Sequence, residues 1–189
     1  MKKTIIAFAT ATSLFAGSAL IGAEYNVDNA HSSIGFKIKH MQVSNVKGFF
    51  TDHTSIIDFD ENKKHPNKIE SIIKVASVNT GIEKRDNHLR TADFFDAQKF
   101  PEMKFVMKEF IPGDGSEGKI KGDMTVKGVT KPVTLNYDFG GITKNKDGKN
   151  MIGFSLDGEI KRSDFGVGEQ SALLGDEVNI NIEIEAVEK

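Results

Sequence analysis

The sequence predicts an all-β protein built as an antiparallel barrel of about eight strands, and three observations carry that prediction. From Glu24 onward apolar and polar residues alternate with a period of two, which sends successive side chains of a strand to opposite faces. The alternating runs are separated by short segments rich in Gly, Asp, Asn and Pro, namely PGDGSEG at 112–118, KGVTKP at 127–132 and KNKDGKN at 144–150. Such connections favour sequential hairpins over crossover helices. Finally, about eight runs of this kind have two economical arrangements, a sandwich or a closed barrel, and closure removes the exposed edges that invite aggregation.

The chain opens with two lysines, an uncharged apolar run and small residues up to Ala23, the order of a secretory signal peptide. Thr, Ser and Gly interrupt the run, which favours a leader cleaved after Ala23 over a retained membrane helix. Residues 24–189 are then one domain of about 166 residues, long enough for a core of its own.

The first strand with unambiguous register is SSIGFKIKH, with Ile34, Phe36, Ile38 and His40 on one face. VKGFFTDHTSIIDFD and KIESIIKVAS follow, joined by DENKKHPNK at 60–68 as a solvated hairpin loop. EMKFVMKEFI brings Met107, and KIKGDMTVKG has Ile120, Met124 and Val126 in its inner row together with Gly122. PVTLNYDFG lines up Val133, Leu135, Tyr137 and Phe139, and MIGFSLDGEIK lines up Ile152, Phe154, Leu156 and Ile160. GEQSALLGDE at 168–177 is a longer connection with some helical character, and EVNINIEIEAVE closes the chain with Val178, Ile180, Ile182, Ile184 and Ala186 on one face.

One stretch, TGIEKRDNHLRTADFFDAQKFP from Thr80 to Pro101, breaks the period of two. Thr80 and Glu83 have capping-box spacing, so a short helix is predicted to start there, with Ile82, Asp86 and Leu89 on one face and Asp86 placed to pair with Arg90. DFFDAQKF is predicted to start a second short helix capped by Asp93 and stopped by Pro101. Phe94, Phe95 and Phe100 either lie over a barrel opening or complete the core.

Composition excludes several classes of function. With no Cys there can be no disulfide, iron–sulfur cluster, c-type haem attachment, cysteine nucleophile or lipidated cysteine. The formal charge is −2, and about −4 once Lys2 and Lys3 leave with the leader, so no basic field attracts nucleic acid. An exported chain without disulfides fits a bacterial periplasm. The five histidines, at 31, 40, 53, 65 and 88, show no HExxH or other close metal-ligand spacing, and neither a metal nor a cofactor is expected. There is no GxSxG elbow, and Asp28, His31, Ser32 and Ser33, read as one strand, cannot make a triad.

YNVDNAHSSIGFKIKHM, VNTGIEKRDNHLRTADFFDAQKFPEMKF and KGDMTVKGVTKPVTL resemble successive signature segments of the YceI-like family of exported bacterial proteins, and the resemblance runs from Tyr25 to about Val187. It implies a lipocalin-like, extended eight-stranded antiparallel barrel with a helical segment near one end. It also implies a periplasmic or secreted location, an apolar cavity for a long-chain amphiphile such as a polyisoprenoid, an isoprenoid quinone or a fatty-acid-like amide, and homodimers among its members. The family's Arg-Asp-x-His-Leu-Arg run falls on Arg85, Asp86, His88, Leu89 and Arg90, its Asp-Phe-Phe-Asp run on Asp93 to Asp96, and its Val-Asp-x-x-His-Ser opening on Val27, Asp28, His31 and Ser32.

Ligand binding makes physical sense of the inner rows. At about 0.8 kcal/mol per buried methylene, ten to twenty carbons offer roughly 8 to 16 kcal/mol before ordering costs. The tail would then meet Phe36, Ile38, Leu89, Phe94, Phe95, Met107, Met124, Leu135, Phe154, Leu156, Ile180 and Ile182. His40, Arg85, Asp86, His88 and Tyr137 are the candidates to orient a head group, while Arg85, Asp86 and His88 have a competing role as a hydrogen-bonded anchor of the helix. The reading is a lipid-binding carrier without stable membrane insertion. Its rivals are an enzyme or redox partner acting on a bound quinone or isoprenoid through His88, Asp86 and His40, and a stress-related interaction protein whose barrel is packed solid.

Overall fold

The computed structural model describes residues 22–189, so the expected leader lies outside the described residues except for Gly22 and Ala23. In chain order the strands are β1 (Ala23–Val27), β2 (Ser33–His40), β3 (Ser44–Phe50), β4 (His53–Asp60), β5 (His65–Lys74), β6 (Val78–Asn79), β7 (Glu102–Pro112), β8 (Glu117–Val126), β9 (Val129–Lys144), β10 (Asn150–Lys161) and β11 (Leu174–Glu188). One helix, α1, spans Glu83–Leu89, and 3₁₀ turns cover Val75–Ser77 and Arg162–Phe165.

The pairing order β1-β4-β5-β7-β8-β9-β10-β11 closes on itself, because β11 returns to β1 with Tyr25 opposite Glu188 and Val27 opposite Ala186. The strands outside that ring extend the same staves. β11 pairs with β1 at its end and with β2 along the rest, β2 pairs with β3, and β3 pairs with β6. Thus β1 and β2, β3 and β4, and β5 and β6 are three interrupted staves, and the eight alternating runs of the sequence are the eight staves of one closed antiparallel barrel. The first break is a turn in which Asp28 accepts from the Ala30 N–H and pairs with His31 Nδ1, both at 2.9 Å. Asp28, His31 and Ser33 therefore do not share a strand: Asp28 follows β1, His31 and Ser32 lie in the break, and Ser33 opens β2.

Two local expectations give way and one is sharpened. KGVTKP is the site of the expected hairpin, and its turn is only two residues long: Lys127 and Gly128 are both at positive φ, and Val129 already pairs with Val126. Pro132 is tolerated in β9 because β10 pairs with β9 only from Asn136 on, leaving that edge open. The 168–177 connection has no helix; it carries a bridge between Ser171 and Leu174 before β11 begins. DFFDAQKF is a chain of turns, because the Phe95 and Ala97 amides bond back to the Leu89 and Arg90 carbonyls and Asp96 sits at φ 51°, which a helix cannot contain.

The interior divides along the barrel axis. One buried cluster gathers Tyr25, Ile57, Phe59, Ile69, Ile120 and Leu135, among others. The second gathers Phe50, Val75, Val78, Met103, Phe165 and Val167, with Leu89, Phe94 and Phe95 packed on it from the helical insertion. A bulge in β7 shifts the register between Met107 and Glu109, so the inner row passes from Met103 and Phe105 to Phe110. Inner-row Gly122 is explained by the Phe105 ring, which would lie 2.5 Å from a Cβ at that position.

Candidate functional site

A cavity of about 440 Å³ lies inside the barrel, a size typical of small-molecule sites. Alternation alone could not choose between a filled and a hollow interior. Part of the answer lies with Ser55 and Ser71, which face each other from β4 and β5 in rows otherwise made of Ile57, Phe59, Ile69 and Ile73. Their hydroxyls bond at 2.7 Å, so two small side chains leave space without leaving an unsatisfied polar group.

One end of the cavity is sealed by strand residues. Phe59 stacks on Phe139 at 5.8 Å and meets Tyr25 edge-on at 6.0 Å, while Phe110 meets Tyr137 edge-on at 5.2 Å. Each phenol has a partner. Tyr25 Oη donates to Glu61 at 2.5 Å, Tyr137 Oη donates to the Lys64 carbonyl at 2.8 Å, and burial holds both hydroxyls above their ordinary pKa. The other end is covered by the insertion at 83–100, whose Phe95 meets Phe50 edge-on at 5.8 Å and whose Phe94 meets His88 at 5.0 Å.

The insertion is held by side chains bonded to backbone. Arg90 Nε and Nη2 donate to the Ala76 and Val78 carbonyls at 2.8 and 2.9 Å, Nη1 donates to Asn87 Oδ1, and Lys127 Nζ reaches the Ala92 carbonyl at 2.9 Å. The expected Asp86–Arg90 pair does not form, because Arg90 is committed to these acceptors. The expected capping box is absent too. Ile82 is the N-cap residue, and buried Asp86 accepts from both the N–H and the hydroxyl of Thr80. Arg85 completes the knot, donating to Thr80 Oγ1 at 2.7 Å and to its carbonyl at 2.9 Å.

Most of the residues singled out in the sequence meet on the cavity wall: Phe36, Ile38, His40, Arg85, His88, Leu89, Phe94, Phe95, Met124, Leu135, Phe154, Leu156, Ile180 and Ile182. Three lie off it. Asp86 is turned to Thr80, Tyr137 belongs to the sealed end with its hydroxyl on Lys64, and Met107 sits at the β7 bulge, packed on the first cluster. His40 is an exposed residue at the end of β2, and His88 is exposed with Nε2 3.3 Å from Asp93. Among the described residues no hydrogen bond links His40, Asp86 and His88, so they do not form an acid–base group.

Wall residues missed in the sequence include Ile73, Met103, Phe105 and Arg162. The first three were available from the same alternation in KIESIIKVAS and EMKFVM. Arg162 was available from parity, as it continues the row Ile152, Phe154, Leu156, Ile160, but a charged residue past the end of a strand does not register as part of an apolar row. Away from the cavity, Asp28, His31 and Glu185 bring one ligand-type atom each within 4.8 Å of one another at the β1–β2 break. His31 is held above its usual pKa by its bond to Asp28 and then by the charges of Asp28 and Glu185, which makes this group a surface latch closing the turn.

The YceI-like domain family matches residues 25–186. The UPF0312 protein plu2095 of Photorhabdus laumondii is 36% identical over 189 residues, covering 99% of this chain and 98% of its own. The crystal structure of the Campylobacter jejuni YCEI protein superposes with a TM-score of 0.75 at 50% identity, covering 86% of this chain and 96% of that one. A polyisoprenoid-binding domain from Saccharophagus degradans shares the fold, with a TM-score of 0.67 at 13% identity over 87% of this chain and 98% of its own. A matched domain of this extent, with the same closed barrel behind it, places the chain in the YceI-like family.

Proposed function

We propose that this protein is a carrier that holds a long-chain amphiphile, such as a polyisoprenoid, an isoprenoid quinone or a fatty-acid-like amide, in its barrel after export to the periplasm or beyond. Its task is transport, storage or stress protection rather than turnover of that ligand. The observation that carries the reading is the cavity of about 440 Å³, walled by apolar side chains from the inner face of the barrel and from the helical insertion. Burial of apolar surface is the dominant gain available at such a wall, and it needs few polar contacts. The fold shared with a polyisoprenoid-binding domain supports the reading, as does the family. Among the described residues no helix is long and apolar enough to cross a membrane. The scattered placement of His40, Asp86 and His88 speaks for binding over catalysis.

The test is extraction and mass analysis of small molecules from protein purified from its own host, joined to native mass spectrometry. A long-chain species bound at about one per chain is the expected result. Recovery of none, together with no binding of added long-chain amphiphiles, would sink the carrier reading.

A further inference from the structure

The ionisable residues on the cavity wall are His40, Arg85, His88, Lys104 and Arg162, all of them basic, although Lys104 is exposed with its ammonium 3.7 Å from Glu102 and exposed His88 lies 3.3 Å from Asp93. Among the described residues no Asp or Glu lines the cavity, although the whole chain carries a formal charge of −2.

Arg162 is the most telling of the five. It is 5% exposed, so its guanidinium has been taken out of water. Nε donates to the Gly175 carbonyl at 2.8 Å and Nη1 to the Val167 carbonyl at 2.9 Å, while Nη2 makes only a long contact of 3.4 Å with the Leu174 carbonyl. A guanidinium has five N–H donors, so these bonds leave donors over. Among the described residues no carboxylate oxygen comes within 4.0 Å of it. Asp176, held below its usual pKa first by its bonds from Ser163 and only to a lesser degree by the Arg162 charge, accepts from the N–H and hydroxyl of Ser163 at 3.0 and 2.7 Å. Neutral carbonyls offset the desolvation of a buried cation only in part, and the missing element is an anion.

The position fits a ligand contact. A Cβ on Gly168, at φ 72°, would lie 3.1 Å from Arg162 Nη1 and 2.9 Å from the Phe94 ring, so guanidinium and ring adjoin the same backbone. The His88 ring meets the other side of this neighbourhood through its edge contact with Phe94. Arg162 and His88 therefore flank Phe94 of the helical insertion, away from the sealed aromatic end.

We propose that the cavity is selective for amphiphiles with an anionic head group, a carboxylate or a phosphate, with Arg162 holding the head and the tail running toward Phe154, Leu156 and Ile57. The inference rests on the carrier reading and specifies its ligand. A guanidinium suits either oxyanion because it presents two parallel N–H donors to a pair of oxygens.

The experiment is calorimetric titration of the purified protein with a series of equal C16 tails: palmitate, hexadecyl phosphate, hexadecanol and hexadecylamine, with acetate and inorganic phosphate as headless controls. Palmitate and hexadecyl phosphate are expected to bind at least tenfold tighter than hexadecanol, hexadecylamine weakest, and the two small anions not at all. Arg162→Met is expected to bring palmitate down to the hexadecanol value while leaving hexadecanol unchanged. Because Arg162 also braces the 167–175 backbone, the series on the unaltered protein stands as the deciding measurement if that variant does not fold. Equal binding of palmitate and hexadecanol by the unaltered protein overturns the head-group inference and leaves the carrier reading standing. Binding of the small anions at the affinity of hexadecyl phosphate overturns the selection of an amphiphile. Failure of all four C16 compounds to bind overturns the inference and the carrier reading together.

Discussion

The two ends of the barrel meet the same requirement, covering an open ring of strands, by different means. At the sealed end the cover is made of the strands' own inward side chains, Tyr25, Phe59, Phe110, Tyr137 and Phe139, with both phenols tied down. At the other end the cover is a separate segment, residues 83–100, attached through Arg90, Lys127 and the Thr80–Asp86–Arg85 knot. A cover made of staves can be lost only by unfolding the barrel. A cover held by a handful of bonds has a stability of its own, and it is the end where Arg162 and His88 lie beside Phe94.

The largest expected effect probes that contrast directly. Phe59→Ala, at a fully buried position, is expected to cost about 3–5 kcal/mol in urea unfolding. Phe94→Ala, half-buried in the insertion, is expected to cost about 1 kcal/mol. Similar losses in both would erase the distinction between a structural end and an attached cover. Next comes Arg90→Ala, which removes bonds from a charged donor worth about 1.5–3 kcal/mol. Amide exchange should then accelerate in residues 83–100 while β9 and β10 keep their protection; uniform acceleration would show that the insertion and the barrel open as one unit.

Phe154→Trp and Leu156→Trp sharpen the comparison from inside. Either should weaken binding of a C16 ligand at least tenfold, about 1.4 kcal/mol, with circular dichroism unchanged. Full affinity in both would mean that the tail does not occupy this part of the barrel.

The smallest effect is in pH. His53 is 2% exposed, its Nδ1 has no partner, and burial lowers its pKa from 6.5 against a smaller opposing effect of Asp52. A lowered folded pKa means that the native state holds fewer protons than the unfolded chain. His53 therefore contributes its full share of stability above about pH 6.5 and loses it as pH falls below that value. His31 acts in the opposite sense, since its raised pKa adds stability below 6.5 that is lost as pH rises. In a His31→Gln background, unfolding measured from pH 7.5 to 5 should show the His53 slope alone, and adding His53→Gln should flatten it.

Much of the barrel was legible because alternation reports facing directly. Ile152, Phe154 and Leu156 could point nowhere but inward once β10 existed, and the same parity carried Ile180 and Ile182. For Asp86, which the sequence left open between a helix anchor and a head-group contact, the geometry matches the anchor. Helical spacing puts it on a face with Leu89, but its carboxylate follows the nearest free donors, which belong to Thr80. Met107 keeps the inward parity of Met103 and Phe105 and packs on the first cluster, but it sits at the bulge and off the cavity wall, and no local composition marks that bulge. DFFDAQKF has the content of a helix start, yet its amides found carbonyls in the preceding turn.

The order of residues by itself determined the number of staves, their antiparallel sequence and the apolar face of each, because side-chain direction in a strand depends only on position along it. The tertiary structure alone decided that the interior is hollow, that three staves are broken and that buried Arg162 lies on the cavity wall. Those outcomes depend on which side chains meet across the barrel. Ser55 leaves room because Ser71 stands opposite, and Asp176 bonds Ser163 rather than Arg162.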